Sequence, residues 1–123
     1  MNIAIASDDG INIASHLGRT KGFVIFNVQE ERITQQWYRY NTFTGHARGL
    51  SDQGHGIDRH GPILEALKDC KVVISHGMGR RIYNDLQQAG IEVFITDEKI
   101  AKSAAELYIK SELVNRPDLG CDH

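Results

Sequence analysis

The sequence predicts an α/β fold in which a mixed five-stranded sheet carries helices on its faces. Three observations predict it. Apolar, β-favouring runs recur at residues 2–6, 22–28, 71–75 and 91–96, and in the second half of the chain they alternate with segments whose apolar residues recur at helical spacing. A further run, Arg32 to Tyr40, follows the second one after only a few residues, so those two form a hairpin. The order β, β, β, α, β, α, β, α therefore places a leading antiparallel hairpin beside a parallel βαβαβ system.

Ile3-Ala4-Ile5-Ala6 makes the first strand, ended by the turn-forming cluster Ser7-Asp8-Asp9-Gly10. Gly22 to Val28 is rich in β-formers, and Glu30-Glu31 turns it into the second arm of the hairpin. In that arm Ile33, Gln35, Trp37 and Arg39 alternate with Thr34, Gln36, Tyr38 and Tyr40, so neither face is strongly apolar and the arm reads as an edge strand. From Asn41 to Gly61 periodicity disappears and five glycines collect; a loop of about 20 residues in a compact domain is usually functional or disordered. Pro62 suits the first turn of a helix, with Ile63, Leu64 and Leu67 as its stripe, ending near Asp69. Lys71 to Ser75 is a short buried strand, and His76-Gly77-Met78-Gly79 leads into a helix striped by Ile82, Leu86 and Ala89 and closed by Gly90. Ile91 to Thr96 is the last strand. Asp97 is expected to cap a final helix carrying Ile100, Ala104, Leu107 and Tyr108, and Pro117 opens a tail. This arrangement resembles the ribonuclease H-like layered fold, with a single domain over residues 1–116 and a tail over 117–123.

A chain of 123 residues fits one domain and buries roughly two thirds of its unfolded surface. No secretory signal or membrane span is visible, so a cytoplasmic protein is expected. Two distant cysteines, Cys70 and Cys121, exclude a disulfide scaffold, and one copy of the chain lacks the thiolates for a four-cysteine iron-sulfur cluster. Cys70, at the entrance to a buried strand, reads as a small apolar residue. Residues 16–21 and 76–81 each carry +2, residues 46–60 are neutral and the rest carries −6, giving a net charge of −2. A locally basic region on an acidic body suits a small anion better than a long polyanion, and no basic stripe supports nucleic-acid binding.

The histidines are the strongest chemical signal. His16 follows the first strand, His76 directly follows the fourth, and His46, His55 and His60 share the glycine-rich stretch between them. Loops after parallel strands lie at the carboxyl edge of the sheet, where open α/β proteins bind ligands, and imidazole is the commonest metal ligand. All five are candidate metal ligands, although the spacings of the loop histidines match no zinc-finger or HExxH pattern. His60, at a helix start, is favoured in the neutral, metal-binding form by the helix dipole. Gly77 and Gly79 allow close backbone approach at the positive end of the next helix, where Arg80 and Arg81 add charge, so Gly77, Gly79 and Arg80 are candidates for holding an anion.

The segment Ser15-His16-Leu17-Gly18-Arg19 resembles the His-Phe-Gly-Arg motif of the dinitrogenase iron-molybdenum cofactor biosynthesis family, with Leu17 in the place of phenylalanine. The resemblance extends over Ile3 to Ser7 with Asp8 and Gly10, Phe23, Leu67 to Ile74, and Gly90-Ile91-Glu92-Val93. It implies a small ribonuclease H-like protein that binds, carries or stores a molybdenum-containing metal-sulfide cluster with iron or copper, as members of that family do. It also implies a cluster-contacting role for His16, a supporting role for Gly18 and Arg19, and cluster donor or acceptor proteins as partners. No enzymatic activity is expected, and the chain is expected to be a monomer or weak homodimer.

Two other classes compete. Asp8, Asp9, Asp52 and Asp58 could hold magnesium for phosphoryl-transfer or nuclease chemistry, which needs clustered carboxylates, whereas the pattern is richer in imidazole. The edge strand could instead serve as a scaffold for a protein partner. The ending Gly120-Cys121-Asp122-His123 places a thiol and an imidazole close enough to chelate a soft metal.

Overall fold

A computed structural model describes residues 1–17, 20–40 and 61–116, the side chains of 61–63 excepted. The elements follow the expected order: β1 (Asn2–Ser7), β2 (Gly22–Gln29), β3 (Arg32–Tyr40), α1 (Gly61–Ala66), β4 (Val72–Ser75), α2 (Arg80–Gln88), β5 (Glu92–Ile95) and α3 (Ala101–Ile109). They build one mixed sheet in the order β3-β2-β1-β4-β5. β1 pairs antiparallel with β2 and parallel with β4, and β4 pairs parallel with β5.

The central position of β1 follows from its composition. Strand side chains alternate between faces, and in β1 both sets are apolar. Ala4 and Ala6 join the core under α1 and α2, with Phe23, Leu67, Val73, Ile82 and Leu86. Ile3 and Ile5 join the core under α3, with Val24, Phe26, Ile74 and Ala104. A strand buried on both faces has to lie inside the sheet. β3, by contrast, is exposed along most of its length, as expected of an edge.

Glu30 and Glu31, with φ of 53° and 65°, form the two-residue turn whose left-handed backbone matches the twist of the hairpin. Gly22 is required by packing: an added Cβ would lie 2.6 Å from both the Arg39 carbonyl oxygen and the Tyr38 ring. Through that gap Tyr38 reaches across β2, and its hydroxyl donates to the Ser7 carbonyl at 2.7 Å. Arg39, on the opposite face, makes a two-pronged ion pair with Asp69, each nitrogen 3.0 Å from its oxygen, and ties β3 to the segment after α1.

Three expectations need correction. Asp97 does not cap α3; the cap position is Ile100, with no side-chain hydrogen bond. The chain stays extended beyond β5 because it is bonded to the first loop, with Ile13 N–H donating to the Lys99 carbonyl and Ala101 N–H to that of Ile11. Asp97 pairs instead with Arg116 at 3.1 Å. The buried stripe of α3 is Ala101, Ala104 and Ala105, small residues that let the helix approach the sheet closely, while Ile100 is exposed. Finally, Ala89 is exposed at the end of α2, where Gly90, at φ 85°, closes the helix as its sequence predicts.

Candidate functional site

The buried polar residues of the described fold are Ser7, Ser75 and Thr96, at the carboxyl ends of β1, β4 and β5, and Thr20, just before β2. Each stabilises a loop. The Ser7 hydroxyl donates to the Asn12 carbonyl at 2.6 Å and accepts from Gly10 N–H. Asp9 accepts from the Ile11 and Asn12 N–H groups, each at 2.8 Å, and from the Asn12 amide. The Asn12 and Ile11 backbone bonds hold its carboxyl well below the usual carboxylate range. Asp8 accepts from Lys21 N–H at 2.8 Å and from the Thr20 hydroxyl. These carboxylates are structural pins, already engaged in the way a magnesium site would need them free.

The His16 segment lies directly against the His76 turn. Ala14 N–H donates back to the Ala6 carbonyl, His76 N–H donates to the Ala14 carbonyl at 3.4 Å, and Leu17 N–H donates to the Gly77 carbonyl at 2.9 Å. Leu17 is fully buried beside Met78, which anchors the half-buried His16 at the surface. Met78 is thereby a core residue. The Ser75 hydroxyl closes the other turn, donating to the Gly77 carbonyl at 2.8 Å while accepting from Gly77 N–H.

His76 is half-buried, and its Nε2 bonds the Glu98 carbonyl. A carbonyl only accepts, so Nε2 is the donor in that contact, and the neutral ring with this tautomer carries its lone pair on Nδ1. Such a backbone contact is how ligating histidines are oriented.

α2 begins just beyond. Gly79 is extended, at φ −65° and ψ 150°, and no side chain caps the helix, so its first N–H groups have no partner within the helix. The first turn holds Arg80 and Arg81 and no acid. Among the described residues a Cβ at Gly79 would meet nothing within 4 Å, so none of them fills the space at the positive helix end. The helix dipole and the two arginines of a first turn that holds no acid combine to favour an anion there.

Of the predicted site residues, His16, His76, Gly77, Gly79 and Arg80 gather at this edge. Gly18, Arg19, His46, His55 and His60 lie outside the described residues, as do Asp52, Asp58, Cys121 and His123. Among the described residues no group of three His, Cys, Asp or Glu side chains forms a metal site. The chemistry available is therefore imidazole plus backbone N–H, on an open edge. Two clefts lie elsewhere, one of about 560 Å³ between Val28, Glu92, Phe94 and Tyr108 and one of about 710 Å³ between β3 and α3. Sequence reasoning missed the buried hydroxyls; the signal for three of them was a Ser or Thr at the end of the mutually parallel strands β1, β4 and β5, immediately before the loop.

A family model for the dinitrogenase iron-molybdenum cofactor matches residues 1–111. The chain belongs to this family. Membership connects it with cofactor biosynthesis and metal-cluster binding. The crystal structure of PH0822 superposes with a TM-score of 0.72 at 23% identity, covering 97% of each chain. MJ0327 of Methanocaldococcus jannaschii superposes at 0.69 with 16% identity over 94% of each chain. The apo form of the orange protein of Desulfovibrio gigas also superposes at 0.69, with 18% identity over 94% of this chain and 92% of its own. These structures share the α/β fold with its five-stranded mixed sheet. No curated protein sequence matches. Among the described residues no helix is long and apolar enough to cross a membrane.

Proposed function

We propose that this protein binds and carries an anionic molybdenum-containing metal-sulfide cluster, with iron or copper as the second metal, at the carboxyl edge of a ribonuclease H-like sheet. The carrying observation is the juxtaposition of the His16 segment with the His76 turn beside the uncapped, basic start of α2. Imidazole supplies metal ligation, and the N–H groups of the α2 first turn, with Arg80, hold the anionic sulfide face. Gly18 and Arg19 support His16, and His46, His55 and His60 are further ligands from the loop after β3. The cluster is cargo, so the protein acts with donor and acceptor proteins and needs no catalytic base.

Anaerobic titration with tetrathiomolybdate, alone and with Cu(I) or Fe(II), tests this reading. Uptake should produce a new visible absorption band and retain molybdenum and sulfide through gel filtration, and His16→Ala should weaken it. No uptake, or uptake unchanged in His16→Ala, overturns it. Magnesium-dependent nuclease or nucleotide hydrolysis lost in Asp8→Asn would favour the phosphoryl-transfer alternative, against which stands the structural engagement of Asp8 and Asp9.

A further inference from the structure

β3 terminates the sheet beyond β2, so alternate backbone groups along its outer side have no strand partner among the described residues. Natural edges are guarded by charge, proline or bulges. Here the guard is confined to one end. Asn27 pairs with Gln35 and Val28 with Ile33, so Thr34 is the extra residue of a bulge next to the hairpin turn, and Gln35 to Tyr40 continues in regular register. Between Ile33 and Tyr38 there is no charged residue and no proline.

Beside this edge runs the cleft of about 710 Å³ between β3 and α3. Its apolar residues, Ile33 and Ile109, pack against the core under α3, while Arg32, Lys102, Glu106 and Lys110 line its rim. Tyr40 supplies the complementary feature. It is 69% exposed, and its ring meets that of Tyr38 edge-on at 5.0 Å, which puts it on the α3 face. It lies at the opposite end of β3 from the cleft.

We propose that β3 docks on β3 of a second copy of this chain, joining two sheets antiparallel, with Tyr40 of each copy filling the β3–α3 cleft of the other. Two-fold symmetry requires a self-complementary patch, and a groove at one end of a strand with an exposed aromatic at the other is one. A register centred on Gln36 sets Gln36 against its own counterpart and Gln35 against Trp37. It also brings the second copy's Tyr40 alongside Arg32 and Ile33. The register displaced by one residue pair, which would set Arg32 against Arg39, is disfavoured by like charge. One strand pair and one buried ring fall short of the ~1,200–2,000 Å² of a stable interface, so the dimer is weak and concentration-dependent. Its formation is independent of cluster binding.

Sedimentation velocity over a concentration series, with the full-length chain, tests the proposal. A reversible monomer–dimer equilibrium is expected, weakened about tenfold or more by Tyr40→Lys, since losing a buried aromatic anchor has that order of effect; circular dichroism of the variant should match the parent. In a Cys121→Ser background, Gln36→Cys should form an intermolecular disulfide under mild oxidation and Gln35→Cys should not, because only self-opposed residues come within bridging distance. A monomer at every concentration, a dimer unaffected by Tyr40→Lys, or cross-linking of Gln35→Cys as readily as Gln36→Cys would overturn it.

Discussion

Replacing Gly79 by alanine separates ligand binding from folding. At φ −65° and ψ 150° an L-residue is unstrained, and the new methyl meets no atom of the described residues within 4 Å. Two small effects oppose each other. Reduced freedom of the unfolded chain stabilises by about 0.4–1 kcal/mol, while alanine is a poorer helix cap than glycine. The net change stays within about 1 kcal/mol, and Tm moves by no more than about 4 °C. The methyl nevertheless occupies the space through which an anion approaches the first N–H groups of α2. Loss of one charge-assisted hydrogen bond is worth about 1.5–3 kcal/mol, so the tetrathiomolybdate Kd should rise roughly 10- to 150-fold. Isothermal titration and thermal unfolding on the same preparation measure both quantities. Unchanged affinity would refute the helix end as the anion contact. A destabilisation of several kcal/mol would refute the open space over Gly79.

Gly22→Ala should behave in the opposite way. The Cβ would press on a backbone carbonyl and the Tyr38 ring at 2.6 Å, adding overpacking to the loss of the Tyr38–Ser7 bond, about 2–4 kcal/mol together, read from denaturant unfolding; a change below about 0.5 kcal/mol would contradict this packing. Arg39 lowers the Asp69 pKa through its hydrogen bond. Because the folded pKa is depressed, the stabilisation is present above the ordinary carboxylate value of 3.8 and disappears as pH falls below it. With Asp69 half exposed, solvent screening keeps the contribution to about 1 kcal/mol or less, and Arg39→Gln should flatten that part of an acid-unfolding curve. Burial pushes the Cys70 thiol up to about 12, so near neutral pH it is a protonated core residue, and thiol reagents should modify it only in denaturant; rapid labelling of the native Cys121→Ser variant would contradict this.

Much of the fold was legible because its signals are local. Ile3-Ala4-Ile5-Ala6 is apolar on both faces, Gly90 ends a helical stripe, and Glu30-Glu31 separates two β-rich runs; each fixes backbone conformation within a few residues. Asp97 was misread for the same reason. Its identity suits a cap, but distant backbone bonds from Ile13 to Lys99 and from Ala101 to Ile11 hold the chain extended past it. Locally, Gly22 looks like any β-strand start, and only the register of β3 makes its missing Cβ a requirement.

For the site, the residue types are legible in the sequence by itself: His16 and His76 each following a strand, two glycines at a helix start, and two arginines in its first turn. What the tertiary structure decided is which of these groups meet. Parallel pairing of β1 with β4 brings their carboxyl ends side by side, and the Leu17–Gly77 and His76–Ala14 bonds then join loops about sixty residues apart. It also engages Asp8 and Asp9, the magnesium candidates, in pinning their loop. Residue type fixes what a side chain can bind, whereas long-range backbone pairing fixes what it stands beside.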